Sequence, residues 1–148
     1  MTERSNSAAN VSDARTRSLL RERALAAMDR AYAPYSGFRV GAAILASGGG
    51  ITDGCNVENA SFPAGICAER AALAAAVAHG ERTFVAITIA TEAHAPTPPC
   101  GVCRQALVEF SPQLAVISVT RDGQEATWSL DALLPHAFTR ESLDRGRA

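Results

Sequence analysis

The sequence predicts an α/β domain, a five-stranded mixed sheet with helices on its faces. Three observations carry this. Helix-spaced and strand-like stretches alternate along the chain in the order α-β-β-α-β-α-β-β. Residues 83–91 (TFVAITIAT) are apolar and β-branched, as suits a strand covered on both faces. The length, 148 residues, is that of one domain and is short for two separate cores.

Residues 1–11, rich in Ser, Asn and Ala, read as a disordered tail, and 12–138 as the single folded domain. A first helix is expected from Ser12 or Asp13, either of which can cap it. Leu19, Leu20, Arg23, Ala24, Ala27, Met28 and Ala31 follow at helical spacing, and the helix should end near Tyr32, ahead of Pro34. Residues 39–46 and 51–57 read as a hairpin about the turn Ser47-Gly48-Gly49-Gly50. Residues 60–65 are a loop, and an alanine-packed helix is expected over 66–79, ended by Gly80. After the strand at 83–91 comes a proline-rich loop over 92–99, then a helix over 100–110. Strands at 114–120 and 125–129 flank the turn Arg121-Asp122-Gly123. A short helix is expected at 130–134 and a tail at 139–148.

Composition narrows the function. All fourteen basic side chains are arginine, and the absence of lysine excludes Schiff-base chemistry and any phosphate site built on lysine. A net charge of −1 argues against a nucleic-acid polymer as partner. No apolar run approaches the ~20 residues that span a bilayer, and residues 1–13 contain no apolar signal core. The expected compartment is therefore reducing and cytoplasmic, where thiols persist.

The four cysteines are Cys55, Cys67, Cys100 and Cys103. Cys67 opens the second predicted helix, while Cys100 and Cys103 fall in the first turn of the third, three apart and able to share a face. Helix N-termini favour the thiolate form that a metal needs, and three sulfurs suit zinc. A fourth protein ligand would make the site structural; a water would make it catalytic. Cys55 lies inside a strand and is expected to pack there. His79, His94 and His136 are expected at the surface or in packing. Glu69 lies two residues after Cys67, where a carboxylate could reach a zinc-bound water; a glutamate in a first helical turn also serves as a cap or dipole contact.

Five stretches carry a closer likeness: Tyr35-Ser36-Gly37-Phe38-Arg39-Val40-Gly41-Ala42-Ala43, Gly54-Cys55-Asn56-Val57-Glu58-Asn59-Ala60, Ile66-Cys67-Ala68-Glu69-Arg70, Pro99-Cys100-Gly101-Val102-Cys103-Arg104-Gln105 and Leu133-Leu134-Pro135-His136-Ala137-Phe138. On these the sequence resembles the small, homotetrameric cytidine deaminases, over about residues 32–138. The zinc motif is common to many nucleobase deaminases; the segment from Asn56 to Ala60 is what points to free nucleosides.

The resemblance implies a three-layer α/β/α sandwich with one Zn²⁺ per chain held by Cys67, Cys100 and Cys103, and Glu69 as proton shuttle. It implies that Asn56 and Glu58, on alternate strand positions facing one side, fork around the sugar 3′-hydroxyl. Phe38, Val57 and Ala68 would line the substrate pocket. Phe138 would reach a neighbouring subunit's site and stack on the base. Arg70 would donate to the zinc sulfurs and offset the net negative charge of three thiolates on Zn²⁺. Pro98 stands where serine is frequent in the family, and Phe62 where tyrosine is. The implied reaction is hydrolysis of cytidine and 2′-deoxycytidine to the uridines and ammonia, within pyrimidine salvage. Competing readings are a deaminase of another aminopyrimidine nucleoside, such as a nucleoside antibiotic, a structural zinc module, and a deaminase of a base within RNA or DNA.

Overall fold

The computed structural model describes residues 10–144. Most of the expected tail 1–11 and the last four residues of the tail 139–148 lie outside the described residues. The first helix, α1 (Ala14–Met28), begins one residue after Asp13, whose carboxylate caps it by accepting from the Thr16 N–H at 3.0 Å. Leu20, Ala24, Ala27 and Met28 form its buried stripe. Leu19, expected on that stripe, is exposed.

The hairpin is β1 (Val40–Ala46) and β2 (Ile51–Cys55); α2 (Ala68–Ala78), β3 (Phe84–Thr91), α3 (Gly101–Val108), β4 (Ala115–Thr120), β5 (Glu125–Ser129) and α4 (Leu130–Leu133) follow. Gly80 has φ +96°, the left-handed geometry that stops α2. Two short elements were not expected: a 3₁₀ turn at Phe62–Ala64 and a four-residue helix, α5 (Arg140–Leu143), within the expected C-terminal tail.

The sheet order is β2-β1-β3-β4-β5. Only β3 and β4 run parallel, joined by the crossover that contains α3. Strand parity sorts the core into two layers. Gly41, Ala43 and Leu45 of β1 face α1, with Ala90 of β3 paired to Gly41 and Ala86 to Leu45. Ala42, Ile44 and Ala46 face the other way, onto α2, with Ile87, Ile89 and Leu107. The result is the expected α/β/α sandwich.

Two glycines set the spacing between layers. A Cβ on Gly41 would lie 2.0 Å from the Ala24 carbonyl oxygen of α1. A Cβ on Gly54 would lie 2.3 Å from the Ala72 nitrogen of α2. Each helix therefore rests its backbone directly on the hairpin, one on each side.

Candidate functional site

The strand register decides where the chemistry gathers. Val40 pairs with Thr91, Gly41 with Cys55, and Thr91 with Thr120, so the start of β1 and the ends of β2, β3 and β4 share one edge of the sheet. The chain leaving β2 leads into the N-terminus of α2, and the chain leaving β3 into that of α3. Both helix starts thus meet at the carboxyl ends of their strands, where open α/β sheets bind ligands.

Cys67 and Cys100 are the N-cap residues of α2 and α3, with extended backbone rather than the helical backbone expected. Neither thiol caps its own helix, so both stay free for another partner. Cys103, three residues on and fully buried, meets Cys100 through N-cap geometry. The three Sγ atoms all lie within 4.8 Å of one another, and those of Cys67 and Cys100 are 3.9 Å apart. Tetrahedral zinc with bonds of about 2.3 Å would set sulfurs about 3.8 Å apart, so the donor set fits that ion. Parity explains why Cys55 is not among them. It follows Gly54, which faces α2, so it points to the α1 side, where its sulfur lies 3.7 Å from the Arg30 carbonyl oxygen.

The electrostatics match a thiolate cluster. The Cys67 thiol is lowered to about 5 by its hydrogen bond with Cys103, aided by Arg70. Cys103 is pushed up, by that same bond and by burial, so Cys67 carries the charge first. The Arg70 guanidinium donates to the Cys67 sulfur at 3.5 Å, and contacts with Cys67 and then Cys103 hold it cationic. Glu69 is only 5% exposed, and burial raises its carboxyl above the ordinary glutamate value.

These groups face a cavity of about 480 Å³. Phe38, Asn56, Val57, Glu58, Ala68, Glu69 and Arg70 all line it, as do Cys67 and Cys100. Phe138 is not among the lining residues of this single chain and is 59% exposed. His79, His94 and His136 are exposed.

One expectation is corrected. Strand β2 stops at Cys55, so Asn56 and Glu58 are not alternate positions of a strand. Each instead anchors a different piece of the segment before β1. The Asn56 side chain accepts from the Val40 N–H and donates to the Phe38 carbonyl, both at 2.8 Å. The Glu58 carboxylate accepts from the N–H groups of Tyr35 and Ser36 and from the Ser36 hydroxyl. Those bonds, led by the hydroxyl, hold Glu58 below the ordinary glutamate value of 4.5. Both side chains still line the cavity, brought there by the return of the chain rather than by strand alternation.

Sequence reasoning assigned no role to Ser36 or Thr97, which also line the cavity. Ser36 sits in one of the five matching stretches, which was the available signal. Thr97 lies in a proline-rich loop whose path no local pattern reveals.

Residues 14–119 match the family described as "Cytidine and deoxycytidylate deaminase zinc-binding region". The cytidine deaminase of Halalkalibacterium halodurans is 43% identical over 131 residues, covering 86% of this chain and 98% of that protein. The crystal structure of cytidine deaminase from Burkholderia pseudomallei superposes with a TM-score of 0.79 at 47% identity, covering 82% of this chain and 98% of that one. The cytidine deaminase structure from Mycobacterium tuberculosis gives 0.71 at 37% identity, covering 82% and 95%. The three-thiol cluster at two helix starts and these likenesses agree: the chain belongs to the zinc-binding cytidine and deoxycytidylate deaminase family.

Proposed function

We propose that this protein hydrolyses the 4-amino group of cytidine and 2′-deoxycytidine, giving uridine or 2′-deoxyuridine and ammonia. The observation that carries the reading is Glu69: a buried carboxyl with a raised pKa, facing the same cavity as the thiols without belonging to their cluster. Cys67, Cys100 and Cys103 would hold zinc, which when bound would supply an acidified water as nucleophile. Glu69 takes one proton of that water and delivers it to ring N3, where it stays in the product. It then passes the second to the departing amino group, which leaves as ammonia while the oxygen remains on C4. A carboxyl whose pKa is raised toward the working pH suits both directions of transfer. The Arg70 guanidinium draws charge from the sulfurs.

The family description covers nucleosides and nucleotides; the residues lining this cavity favour the nucleoside. Among the described residues Arg70 is the one basic side chain lining it, and it is engaged with the thiols. The Glu58 carboxylate also lines the cavity, where it would accept from a sugar hydroxyl and repel a phosphate. Asn56 lines it as well, with its second amide N–H left for the 3′-hydroxyl. Phe38, Val57 and Ala68 supply the apolar walls for the base and sugar.

The working form on this reading is a homotetramer. Tyr35, Phe38, Phe62 and Phe138 are all at least 42% exposed in one chain, more aromatic surface than a lone subunit needs, and Phe138 would complete a neighbour's site. A reducing, cytoplasmic setting and a place in pyrimidine salvage follow from the thiolate ligands and the substrate. Among the described residues no helix is long and apolar enough to cross a membrane. A structural zinc module is not favoured, since the described cluster has three members and opens on a cavity.

The test compares the protein with Glu69→Gln for zinc content and cytidine turnover. About one zinc per chain is expected in both, with turnover reduced at least ~100-fold in the variant. Loss of zinc along with turnover would make Glu69 a structural residue. A zinc-loaded parent that spares cytidine but deaminates an analogue would move the assignment to that nucleoside.

A further inference from the structure

The segment from Thr97 to Cys100 both lines the cavity and delivers one of the three thiols. Its sequence, Thr-Pro-Pro-Cys, poses a mechanical problem. Two consecutive prolines carry no N–H, so backbone donors cannot tie the middle of the loop down. Cys100 is exposed and its thiol makes no capping bond to α3. A zinc ligand nevertheless has to sit within about 0.2 Å of its required distance.

The ties come from side chains on both flanks. Ser118, fully buried on β4, has its hydroxyl oxygen 2.8 Å from the Thr97 N–H, which donates to it. Arg104, half-buried on α3, donates through Nε to the Pro99 carbonyl at 2.9 Å. The same guanidinium donates through Nη1 to the Leu133 carbonyl at the end of α4, also at 2.9 Å. Its neighbour Gln105 donates to the Phe138 carbonyl at 2.7 Å. One planar fork thus joins the loop that presents Cys100 to the segment that presents Phe138, a geometry the single ammonium of lysine does not reproduce.

We infer that Ser118 and Arg104 are positioning residues, which grip the diproline loop at its two ends and thereby fix the Cys100 thiol and the cavity wall beside it. Neither lines the cavity, so both act through the loop. The inference rests on the zinc deaminase reading above and extends it to residues outside the site.

The experiment compares the parent with Ser118→Ala and Arg104→Lys. Thr88→Val is the control: Thr88 lies on the neighbouring strand, 1% exposed, and its hydroxyl has no partner among the described residues. Three quantities are read: the rate of zinc release to a chelator, the cobalt–thiolate absorption of Co²⁺-loaded protein, and KM and kcat for cytidine. Both variants should release zinc about 10- to 100-fold faster and show altered cobalt–thiolate bands, with KM raised. The control should match the parent in all three. Variants that lose only thermal stability, with parental release rate and cobalt spectrum, would overturn the inference. If Ser118→Ala does not fold, Arg104→Lys decides alone, since it leaves the sheet interior untouched. A parent that binds Co²⁺ but turns over no cytidine would sink the deaminase reading, while the metal comparison still decides the positioning role.

Discussion

Gly54→Ala offers a sharp test of how the fold reaches the site. The added Cβ would lie 2.3 Å from the Ala72 nitrogen, 2.6 Å from the Ala68 carbonyl oxygen and 2.9 Å from the Ala72 Cα. All three are backbone atoms of α2, so no side chain can swing aside. Restoring ordinary contact requires the first turns of α2 to lift by about 1 Å, and overpacking of that kind costs about 3 kcal/mol. For a chain of this length that lowers Tm by roughly 10 °C. The same turns carry Cys67, Glu69 and Arg70, and a misplacement of about 1 Å among reacting groups is worth roughly 100-fold in rate. Gly41→Ala is the matched comparison. Its Cβ would meet Ala24 and Met28 backbone at 2.0–2.9 Å, but those belong to α1, which contributes no site residue. It should destabilise at least as much while cytidine turnover at low temperature stays within a few-fold of parent. Gly48→Ala, with nothing within 4 Å, should be nearly silent. Thermal melts, zinc content and kcat at 10 °C separate the three. If Gly54→Ala and Gly41→Ala lose turnover equally, the reasoning that a lifted α2, and not general destabilisation, costs the site its activity is wrong.

Three further outcomes follow from single contacts. Asn56→Ala leaves the Val40 N–H and the Phe38 carbonyl unpaired; stability should fall by about 2 kcal/mol in urea titration and KM should rise, and an unchanged KM would confine Asn56 to the fold. Cys55→Ser should keep one zinc per chain and parental turnover, because its side chain lies across the sheet from the other thiols; zinc loss would refute the three-thiolate site. Ser36→Ala removes the hydrogen bond that contributes most to the lowered Glu58 pKa. Because a depressed carboxyl pKa keeps the carboxylate ionised down to lower pH, its release should move the acid rise of KM upward in pH; an unmoved profile would mean that Glu58 does not bind substrate as a carboxylate.

The sequence disclosed the elements better than their meeting points. A β-branched run such as 83–91 has one stable use, and β3 starts one residue inside that range and shares its end at Thr91. Helices α2 and α3 were expected a little too long at their starts, because Cys67 and Cys100 look helical by position yet take extended N-cap backbone. That departure is part of the site: the residue just outside a helix is the one whose side chain points off its end. The three thiols and Glu69 were legible because their spacings are local. Asn56 and Glu58 were legible as residues but not as geometry, since their partners lie 16 to 23 positions earlier in the chain. Leu19 shares the i, i+4 spacing of Arg23 and Ala27 but lies about 100° around α1 from Leu20, off the buried stripe, and it is exposed.

The alanine content takes on a physical meaning at this point. In α2 the residues turned to the sheet include Ala68, Ala72 and Ala76, and against β2 the sheet answers with Gly54. Small residue meets no residue, so the helix axis sits low on the sheet. A helix lying that low starts close to the strand ends, and its first residues stand beside the loop that leaves β3. Leucines in place of Ala68, Ala72 and Ala76 would lift the helix and draw Cys67 away from Cys100. The same low seat takes Glu69 out of water, and loss of hydration raises its pKa. A packing choice spread along α2 thus sets both the distance between the sulfurs and the proton affinity of the carboxyl beside them. Enlarging Ala72 should therefore disturb both together, in zinc affinity and in the pH profile of kcat, whereas enlarging Ala74, exposed on the opposite side of the helix, should disturb neither.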